Sequence, residues 1–296
     1  MEDALETFDV SEDELCALVH KLMPTWRDDR LDEFEYLSGG YSNFNVVFRR
    51  RHKTPDASGE HDSRYVLRLP KREQPYVDRQ AEAAWYGRLP NAIGPIPLAI
   101  DVHSGQMITP WITGELLVDV FPSGCCEADL VAYLKAMHAL LPDVAKHYHV
   151  PALVPEFIGL DWPADLDRSK FMTGVQSSAS SSDVAVTCHN DLNPWNILVT
   201  PEGWKTLDWE FVGRNDPLFD LVALHQGLQL EINTLPALAT AFLPSCSAKR
   251  LTRAFAHFWL REWCWASYQL RQGNRREEIV EQEREAKQQL LRLPEF

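Results

Sequence analysis

Near the amino terminus, apolar residues recur three and four positions apart, which is the spacing of one face of a helix. These residues are Leu15, Leu18, Val19 and Leu22. Just ahead of them, Ser11 and Glu14 have the spacing of a capping box, in which each side chain binds the backbone N–H of the other residue. The pattern predicts an amphipathic helix over roughly 11–22.

Between Phe34 and Pro70 the pattern changes to short runs rich in aromatic and β-branched residues, which favour strands. Three such runs are separated by a glycine pair and by a polar loop: 34–37, 45–49 and 65–69. A helical stretch over 76–89 follows, and a further hairpin is centred on Ser104 and Gly105. The first part of the chain is therefore predicted to form a small antiparallel sheet with helices.

Beyond Gly114 helical spacing predominates, beginning with the apolar positions of 129–141. Short β segments interrupt this helical region: 184–188, 197–200 and 204–207. The change of pattern near residue 113 predicts two domains, a smaller one over 1–113 and a mostly helical one over 114–296. The fold class expected from this order of elements is α+β.

Composition and charge narrow the class of protein. The 296 residues are 45% hydrophobic and 24% charged, which is typical of a globular chain. With 43 acidic against 29 basic residues the formal charge is −14, so we expect no nucleic-acid partner. The six cysteines lack the spacing of a metal site, and no apolar run of about 18 residues occurs, so we expect a cytoplasmic protein without a membrane span. We find no sequence signal for an oligomeric state.

The segment that carries chemistry is His-x-Asp-x4-Asn, formed by His189, Asp191 and Asn196, with Asp208 following after a predicted hairpin. Phosphoryl transfer needs one carboxylate that orients the attacking hydroxyl and accepts its proton, and hard oxygen ligands for Mg²⁺. Asp191, Asn196 and Asp208 supply these groups, and the returning hairpin brings Asp208 back beside Asn196. Each residue alone is also typical of a turn, so it is the combination that favours phosphoryl transfer.

From about Tyr36 to about Gly273 the sequence resembles protein-kinase-like phosphotransferases that act on small molecules, the aminoglycoside phosphotransferase and choline kinase family. The most specific part is 189–196 together with Asp208. The resemblance implies a two-lobed protein-kinase-like fold, with a small antiparallel sheet and helix in the first lobe and a larger helical second lobe. Residues 207–210, Leu-Asp-Trp-Glu, are similar to the Ile-Asp-aromatic-Glu of small-molecule kinases and differ from the DFG motif of protein kinases.

The resemblance also implies roles for single residues. Asp191 is the implied catalytic base, and His189 supports its loop. Asn196 and Asp208 are the implied ligands of Mg²⁺, and Asp220 matches an acid that binds the backbone of the loop. Asp191, Asn196 and Asp208 are all present. The resemblance therefore favours an active ATP- and Mg²⁺-dependent kinase over a nucleotide-binding pseudokinase that recruits a partner.

A glycine-containing loop between the first two predicted strands is similar to the phosphate-covering loop of the family. Glycine lets the backbone approach a nucleotide closely, and nearby N–H groups and polar side chains donate to phosphate oxygens. The residues expected to contact ATP here are Gly39, Gly40, Ser42 and Asn43. Taken alone, a Gly-Gly pair is equally typical of a hairpin turn.

The resemblance implies that further residues bind ATP or support the residues that bind it. Arg68 stands on the third predicted strand, where the family has a basic residue that contacts the α- and β-phosphates. Glu82, on the following helix, matches the acid that pairs with that base, and a buried arginine needs such a partner. Pro110 and Ile112 lie in a segment that resembles the lobe-connecting hinge, with the Pro110 carbonyl as acceptor and the Ile112 N–H as donor to adenine.

A tryptophan-rich helical segment indicates the acceptor. Trp259 and Trp263 are four positions apart and share a helical face, and aromatic faces attract cations. The segment resembles the choline-kinase helix in which aromatic residues cage a trimethylammonium group, although such a stripe is also typical of a core. Glu210 matches the acid that follows the metal-binding aspartate, and we expect it to place the metal or to screen a cationic substrate.

We therefore expect transfer of the γ-phosphoryl group of ATP to a hydroxyl of a small cationic molecule, with a choline- or ethanolamine-like acceptor favoured. Eukaryotic choline kinases carry an acid seven residues after the helix aspartate, and this chain has Gly227 there. This departure keeps thiamine, an aminoglycoside or an amino sugar as alternative acceptors. Bacterial choline, ethanolamine and thiamine kinases are the relatives that the sequence resembles most.

Overall fold

The structure of the protein is a computed structural model. It describes residues 10–37, 42–52, 62–159, 162–168, 171 and 185–293. The chain divides into two compact units, which we call the N unit, up to Gly114, and the C unit, from Glu115 onwards. None of the helices in the described ranges is long and apolar enough to cross a bilayer.

The N unit opens with the predicted amphipathic helix, α1 (Glu12–Leu22). Ser11 is its N-cap, and both bonds of the capping box are formed. The Ser11 Oγ accepts the N–H of Glu14 at 3.3 Å, and the Glu14 carboxylate accepts the N–H of Ser11 at 2.9 Å. The capping box of Ser11 and Glu14 was therefore sufficient to predict where this helix begins.

Five strands form one antiparallel sheet in the N unit: β1 (Arg30–Leu37), β2 (Asn43–Arg51), β3 (Asp62–Pro70), β4 (Ala99–Ile100) and β5 (Met107–Pro110). They lie in the order β1-β2-β3-β5-β4. The three predicted strands are confirmed and are longer than predicted, because pairing extends from Asn43 opposite Pro70 to Arg51 opposite Asp62. Helix α2 (Arg79–Tyr86) is shorter than predicted, and the carboxylate of Asp78, the residue before it, caps its start.

The core of the N unit lies between α1 and the sheet. Leu15 and Val19 of α1 are buried there. The strands contribute residues that are almost inaccessible: Val46, Phe48, Leu67 and Ile108. Burying each such side chain stabilises the fold by roughly 1.5–3 kcal/mol. Because Leu67 and Leu69 are fixed in this core, Arg68 between them is directed to the other face of the sheet.

Most of the C unit is helical. The described helices are α3 (Leu117–Gly124), α4 (Glu127–Leu140), α5 (Val150–Ile158), α6 (Leu218–Gly227), α7 (Leu235–Phe242), α8 (Ala248–Arg271) and α9 (Glu277–Leu291). The described strands are β6 (Glu115–Leu116), β7 (Val186–Cys188), β8 (Ile197–Thr200), β9 (Gly203–Thr206) and β10 (Gly213–Asn215). With the antiparallel sheet of the N unit, this content confirms the α+β class.

The strands of the C unit are antiparallel pairs that shape the loops between them. Strand β8 pairs with β6 and, through a tight hairpin, with β9. Strand β7 pairs with β10, so that Cys188 lies opposite Gly213. The loop 189–196 connects β7 to β8, and the segment 207–212 connects β9 to β10. Because β7 pairs with β10 and β8 pairs with β9, the two connections start and end next to each other.

Helix α8 is the long central helix of the C unit and packs against α5, α6 and α9. Aromatic contacts fix two of these interfaces. Phe258 meets Phe219 of α6 edge to face at 6.2 Å, and Tyr268 meets Phe157 of α5 at 5.9 Å. The side chains of α8 are therefore held in fixed positions relative to α6.

Candidate active site

Asn190, near the start of the loop 189–196, fixes the position of this loop through its side chain. Asn190 has a positive φ of 66°, a region that asparagine tolerates better than most residues. Its buried amide nitrogen lies within hydrogen-bond distance of the carbonyls of Cys188, Phe211 and Gly213, at 3.1, 3.0 and 3.2 Å. These bonds hold the start of the loop against the segment that follows β9.

Asp220 of α6 supports the same loop from the other side. It is fully buried, and its two oxygens accept the backbone N–H groups of His189 at 3.0 Å and Asn190 at 2.9 Å. The Nε2 atom of His138 lies 3.1 Å from Asp220 Oδ2. Burial alone would raise the pKa of Asp220, but the contact with His138 and these N–H groups outweigh it and hold the pKa below its ordinary value.

His189 joins the loop to the residue that precedes Asp208. Its Nε2 lies 2.8 Å from the carbonyl oxygen of Leu207, and its Nδ1 accepts the N–H of Asp191 at 3.2 Å. These contacts require a proton on Nε2 and none on Nδ1. Burial lowers the pKa of His189, which agrees with a neutral ring. The imidazole therefore acts as a rigid link between Asp191 and the 207–208 segment.

Asp191, Asn196 and Asp208 are brought into one region of the C unit. The side-chain nitrogen of Asn196 donates to the Asp191 carbonyl at 2.9 Å and lies 3.4 Å from Asp191 Oδ2. The N–H of Leu207, next to Asp208, donates to the Asn196 carbonyl at 2.8 Å. Asp208 itself has a positive φ of 57°, a conformation that costs a non-glycine residue of order 1 kcal/mol and is frequent at functional sites.

The side-chain oxygens at this site fit a magnesium ion. The amide nitrogen of Asn196 contacts Asp191, so the amide oxygen of Asn196 is the atom that can bind a metal ion. Asp208 and the buried Glu210 place carboxylate oxygens within 4.8 Å of each other. Mg²⁺ prefers such hard oxygen donors, supplied by one or two carboxylates. Asn196 and Asp208 are the predicted ligands, and Glu210 adds a second carboxylate beside Asp208.

In the N unit, Arg68 and Glu82 form a buried ion pair. Arg68 Nη1 lies 2.7 Å from Glu82 Oε1, and the other guanidinium nitrogens donate to the Gly105 carbonyl at 3.1 and 3.3 Å. Arg79 holds the second Glu82 oxygen at 2.8 Å. Burial alone would raise the pKa of Glu82, but the two arginines outweigh it and lower the pKa. The structure thus pairs Arg68 with Glu82, as the family resemblance implies.

The predicted phosphate loop is described only in part, because Gly39 and Gly40 lie outside the described residues. The carbonyl of Ser42 accepts the N–H of Lys71 at 3.0 Å, which fixes Ser42 to the end of β3. Asn43 is buried, and its Oδ1 has no hydrogen-bond partner within the described part of the chain. The role of these four residues toward ATP stays a prediction.

The predicted adenine-binding segment follows β5. Pro110 ends that strand opposite Tyr65 of β3. The N–H of Trp111 donates to the Arg64 carbonyl at 3.0 Å and is therefore used within the sheet. The N–H of Ile112 has no hydrogen-bond partner among the residues that the structure describes, and its contact with adenine stays a prediction.

Trp259 and Trp263 are both buried on α8. Trp263 donates its ring N–H to Glu283 of α9 at 2.8 Å and meets the Trp162 ring edge to face at 5.7 Å. Trp259 packs against Phe258, and its ring nitrogen has no hydrogen-bond partner in the described ranges. Both indoles thus belong to a packed aromatic layer, and their contact with an acceptor stays a prediction.

The sequence analysis missed two charged residues of α8 that reach the site. Arg261 Nη1 lies 2.8 Å from Asp191 Oδ1, and Arg261 Nη2 lies 2.8 Å from Glu262 Oε1. Glu262 in turn is hydrogen-bonded by Gln282 of α9. The available signal was a charged Arg-Glu pair inside a run rich in aromatic residues, 255–265, a pattern that is also typical of a core. Buried charges of this kind require partners.

The phosphotransferase enzyme family matches residues 33–255, which is more than half of the chain. The chain therefore belongs to the phosphotransferase enzyme family, and it is a phosphotransferase. The match includes the predicted residues His189, Asp191, Asn196 and Asp208. It ends before Arg261, so the second half of α8 lies beyond the matched region.

Solved phosphotransferases share the fold. The chain is similar to a choline/ethanolamine kinase family protein from Mesorhizobium loti, with a TM-score of 0.67 and 22% identity over 96% of this chain and 95% of that one. It is similar to LicA in complex with AMP, with a TM-score of 0.70 and 15% identity over 94% and 98% of the two chains. It is also similar to an aminoglycoside 2'-phosphotransferase in complex with GDP, with a TM-score of 0.60 and 14% identity over 93% and 98% of the two chains.

The likeness to these structures shows a kinase-like fold, and the last two of those proteins bind a nucleotide. A curated relative, protein LicA of Haemophilus influenzae, is 49% identical over 37 residues. This segment is 12% of this chain and 14% of LicA, so the match spans only a small part of either protein.

Proposed function

We propose that the protein transfers the γ-phosphoryl group of ATP, with Mg²⁺, to a hydroxyl group of a small cationic molecule, with a choline- or ethanolamine-like acceptor preferred. The observation that carries the proposal is the His189 ring, which contacts both the N–H of Asp191 and the carbonyl of Leu207. This single link joins the residue that would act as base to the segment that carries Asp208.

The predicted residues of each unit have separate tasks in this reaction. Asp191 orients the acceptor hydroxyl and accepts its proton as the new oxygen–phosphorus bond forms. Asn196 and Asp208 would hold Mg²⁺ through their side-chain oxygens, and Mg²⁺ held there would neutralise charge on the phosphates. Arg68, which Glu82 and the Gly105 carbonyl hold in place, contacts the α- and β-phosphates.

A cationic acceptor is supported by the charge and the aromatic content of the C unit. Glu210 is buried beside Asp208, and two carboxylates placed so close together favour a positively charged ligand. Trp259 and Trp263 supply aromatic faces on one side of α8, and each cation–π contact contributes about 0.5–2 kcal/mol. Proteins with this fold include a choline/ethanolamine kinase family member.

A coupled ADP-release assay tests the proposal. The purified full chain is given ATP and Mg²⁺ with choline, ethanolamine, thiamine, kanamycin or glucosamine in separate reactions. Blanks lack the acceptor or contain EDTA, and GTP replaces ATP in a parallel series. We expect acceptor-dependent ADP release with choline or ethanolamine, at a higher kcat/KM than with the other acceptors, and none in EDTA.

Two other outcomes would change the conclusion. A higher kcat/KM for thiamine, kanamycin or glucosamine would overturn the preferred acceptor and keep the kinase chemistry. Nucleotide binding by calorimetry without ADP release for any acceptor would overturn the proposed reaction and favour the pseudokinase alternative.

A further inference from the structure

The two oxygens of the Asp191 carboxylate have unequal surroundings. Oδ1 lies 2.9 Å from the side-chain nitrogen of Asn193 and 2.8 Å from Arg261 Nη1. Oδ2 has one contact among the described residues, at 3.4 Å from the Asn196 amide nitrogen. One oxygen is therefore held by two donors, one of them charged, and the other is held only weakly.

This asymmetry determines which oxygen can act as a base. A hydrogen bond from a charged donor is short and strong, so Oδ1 is occupied and its position is fixed. Oδ2 keeps the capacity to accept a further hydrogen bond. A hydroxyl that is to be deprotonated needs such an oxygen within hydrogen-bond reach.

Arg261 is itself held from its other side. Its side chain is 8% exposed, and its Nη2 lies 2.8 Å from Glu262 Oε1, at an angle unlike that of a hydrogen bond. Glu262 is hydrogen-bonded by Gln282 of α9. Burial alone would lower the pKa of Arg261, but the carboxylates of Glu262 and Asp191 outweigh it and raise the pKa. A line of polar contacts thus runs from α9 through α8 to the loop 189–196.

We propose that Arg261 is a positioning residue for the phosphoryl transfer, which fixes Asp191 through Oδ1 and leaves Oδ2 to receive the proton of the acceptor hydroxyl. The inference rests on the proposed function. In the step, the acceptor oxygen bonds to the γ-phosphorus as its proton passes to Asp191 Oδ2. The bond from the γ-phosphorus to the bridging oxygen of ATP breaks, and its electron pair leaves with ADP. Glu262 keeps Arg261 in place.

The variant Arg261→Ala tests the inference with ATP and the acceptor that the wild type turns over best. We expect kcat to fall roughly 10- to 100-fold, because a base that is displaced by about 1 Å can lose this much rate. KM for ATP should stay within about twofold of the wild type, since the ion pairs of Arg261 in the described part of the chain are with Asp191 and Glu262. Millimolar guanidinium chloride should raise kcat of the variant roughly threefold or more, by supplying the missing charged donor.

Arg250→Ala is the matched control. Arg250 lies on the same helix and forms a two-point ion pair with Asp216, at 2.6 and 2.8 Å, so its removal also breaks a partly buried pair. We expect kcat of this variant to equal that of the wild type and to be insensitive to guanidinium. Glu262→Gln, which keeps the side-chain shape, should lower kcat less than Arg261→Ala does and should also leave KM for ATP unchanged.

The outcomes separate the two proposals. A wild-type enzyme that turns over no acceptor would overturn the proposed function and the inference with it. An active wild type with an unchanged kcat in folded Arg261→Ala would overturn only the inference. The same would follow if Arg261→Ala lost activity without guanidinium rescue and in proportion to a lowered melting temperature. If Arg261→Ala does not fold, an unchanged kcat in Glu262→Gln overturns the inference.

Discussion

The substitution Asp220→Asn tests the contact that holds the catalytic loop to α6. Asp220 accepts the N–H groups of His189 and Asn190 with its two oxygens, in a fully buried position. Asparagine has nearly the same shape, but its amide nitrogen cannot accept a hydrogen bond. One backbone N–H of the loop therefore loses its partner, and His138 loses the negative charge beside it.

We expect Asp220→Asn to lower the free energy of unfolding by about 2.5–6 kcal/mol. The loss of one hydrogen bond to a charged group accounts for about 1.5–3 kcal/mol, and the unpaired buried N–H adds about 1–3 kcal/mol. Because Asn190 and His189 position Asp191, kcat should fall as well. Urea unfolding followed by tryptophan fluorescence and circular dichroism measures the first effect, and ADP release from the folded enzyme measures the second.

The matched control is Asp216→Asn, at the start of the same helix. Asp216 is partly exposed, accepts the Leu218 N–H at 3.1 Å and pairs with Arg250. Its replacement should cost about 1 kcal/mol, because solvent can replace part of what is lost, and should leave kcat unchanged. If Asp220→Asn destabilised the protein by less than about 1 kcal/mol, or no more than Asp216→Asn, the buried contact would not hold the loop.

Three further predictions concern the metal, the acceptor and the buried histidine. Asp208→Ala should weaken Mg²⁺-dependent ATP binding in calorimetry, with a deficit that shrinks as Mg²⁺ is raised, and wild-type affinity would exclude Asp208 as a ligand. Trp263→Leu should raise KM for a cationic acceptor roughly 3- to 30-fold, at about 0.7–2 kcal/mol lost, with KM for ATP unchanged; a lowered melting temperature with an unchanged acceptor KM would place Trp263 only in the core. Because burial lowers the pKa of His189, its contribution to stability is complete above about pH 6.5 and is lost as the pH falls toward the folded-state pKa, by at most about 1.4 kcal/mol per pH unit. His189→Gln should flatten this part of the stability profile, and a profile identical to that of the wild type would contradict it.

Local signals in the sequence were sufficient for the elements that depend on neighbouring residues. The capping box of Ser11 and Glu14 predicted the start of α1. Runs rich in aromatic and β-branched residues predicted the second half of β1 and the central parts of β2 and β3. The ends of those strands depend on the partner strand, so their full length follows only from the pairing. The hairpin of β8 and β9 was predicted from its turn, and this placed Asp208 near Asn196.

The contacts that shape the candidate site join residues far apart in the chain, and single-residue patterns carry little information on them. Asp191 meets Arg261 across 70 positions, and Asp220 meets His138 across 82. The left-handed backbone at Asn190 and Asp208 also depends on tertiary bonds, since neither position is a glycine that would indicate it. The family resemblance supplied the roles of Asp191, Asn196 and Asp208, and only the folded chain placed Arg261 on the proposed base.

The central claim, that Asp191 orients and deprotonates the acceptor hydroxyl, is tested most directly by Asp191→Asn. The measurement is kcat for the best acceptor together with the affinity for Mg·ATP by calorimetry. The account predicts that kcat falls by at least about 10²-fold and that nucleotide affinity stays nearly unchanged, on the scale of a positioned general base. Equal turnover by the variant and the wild type would contradict it.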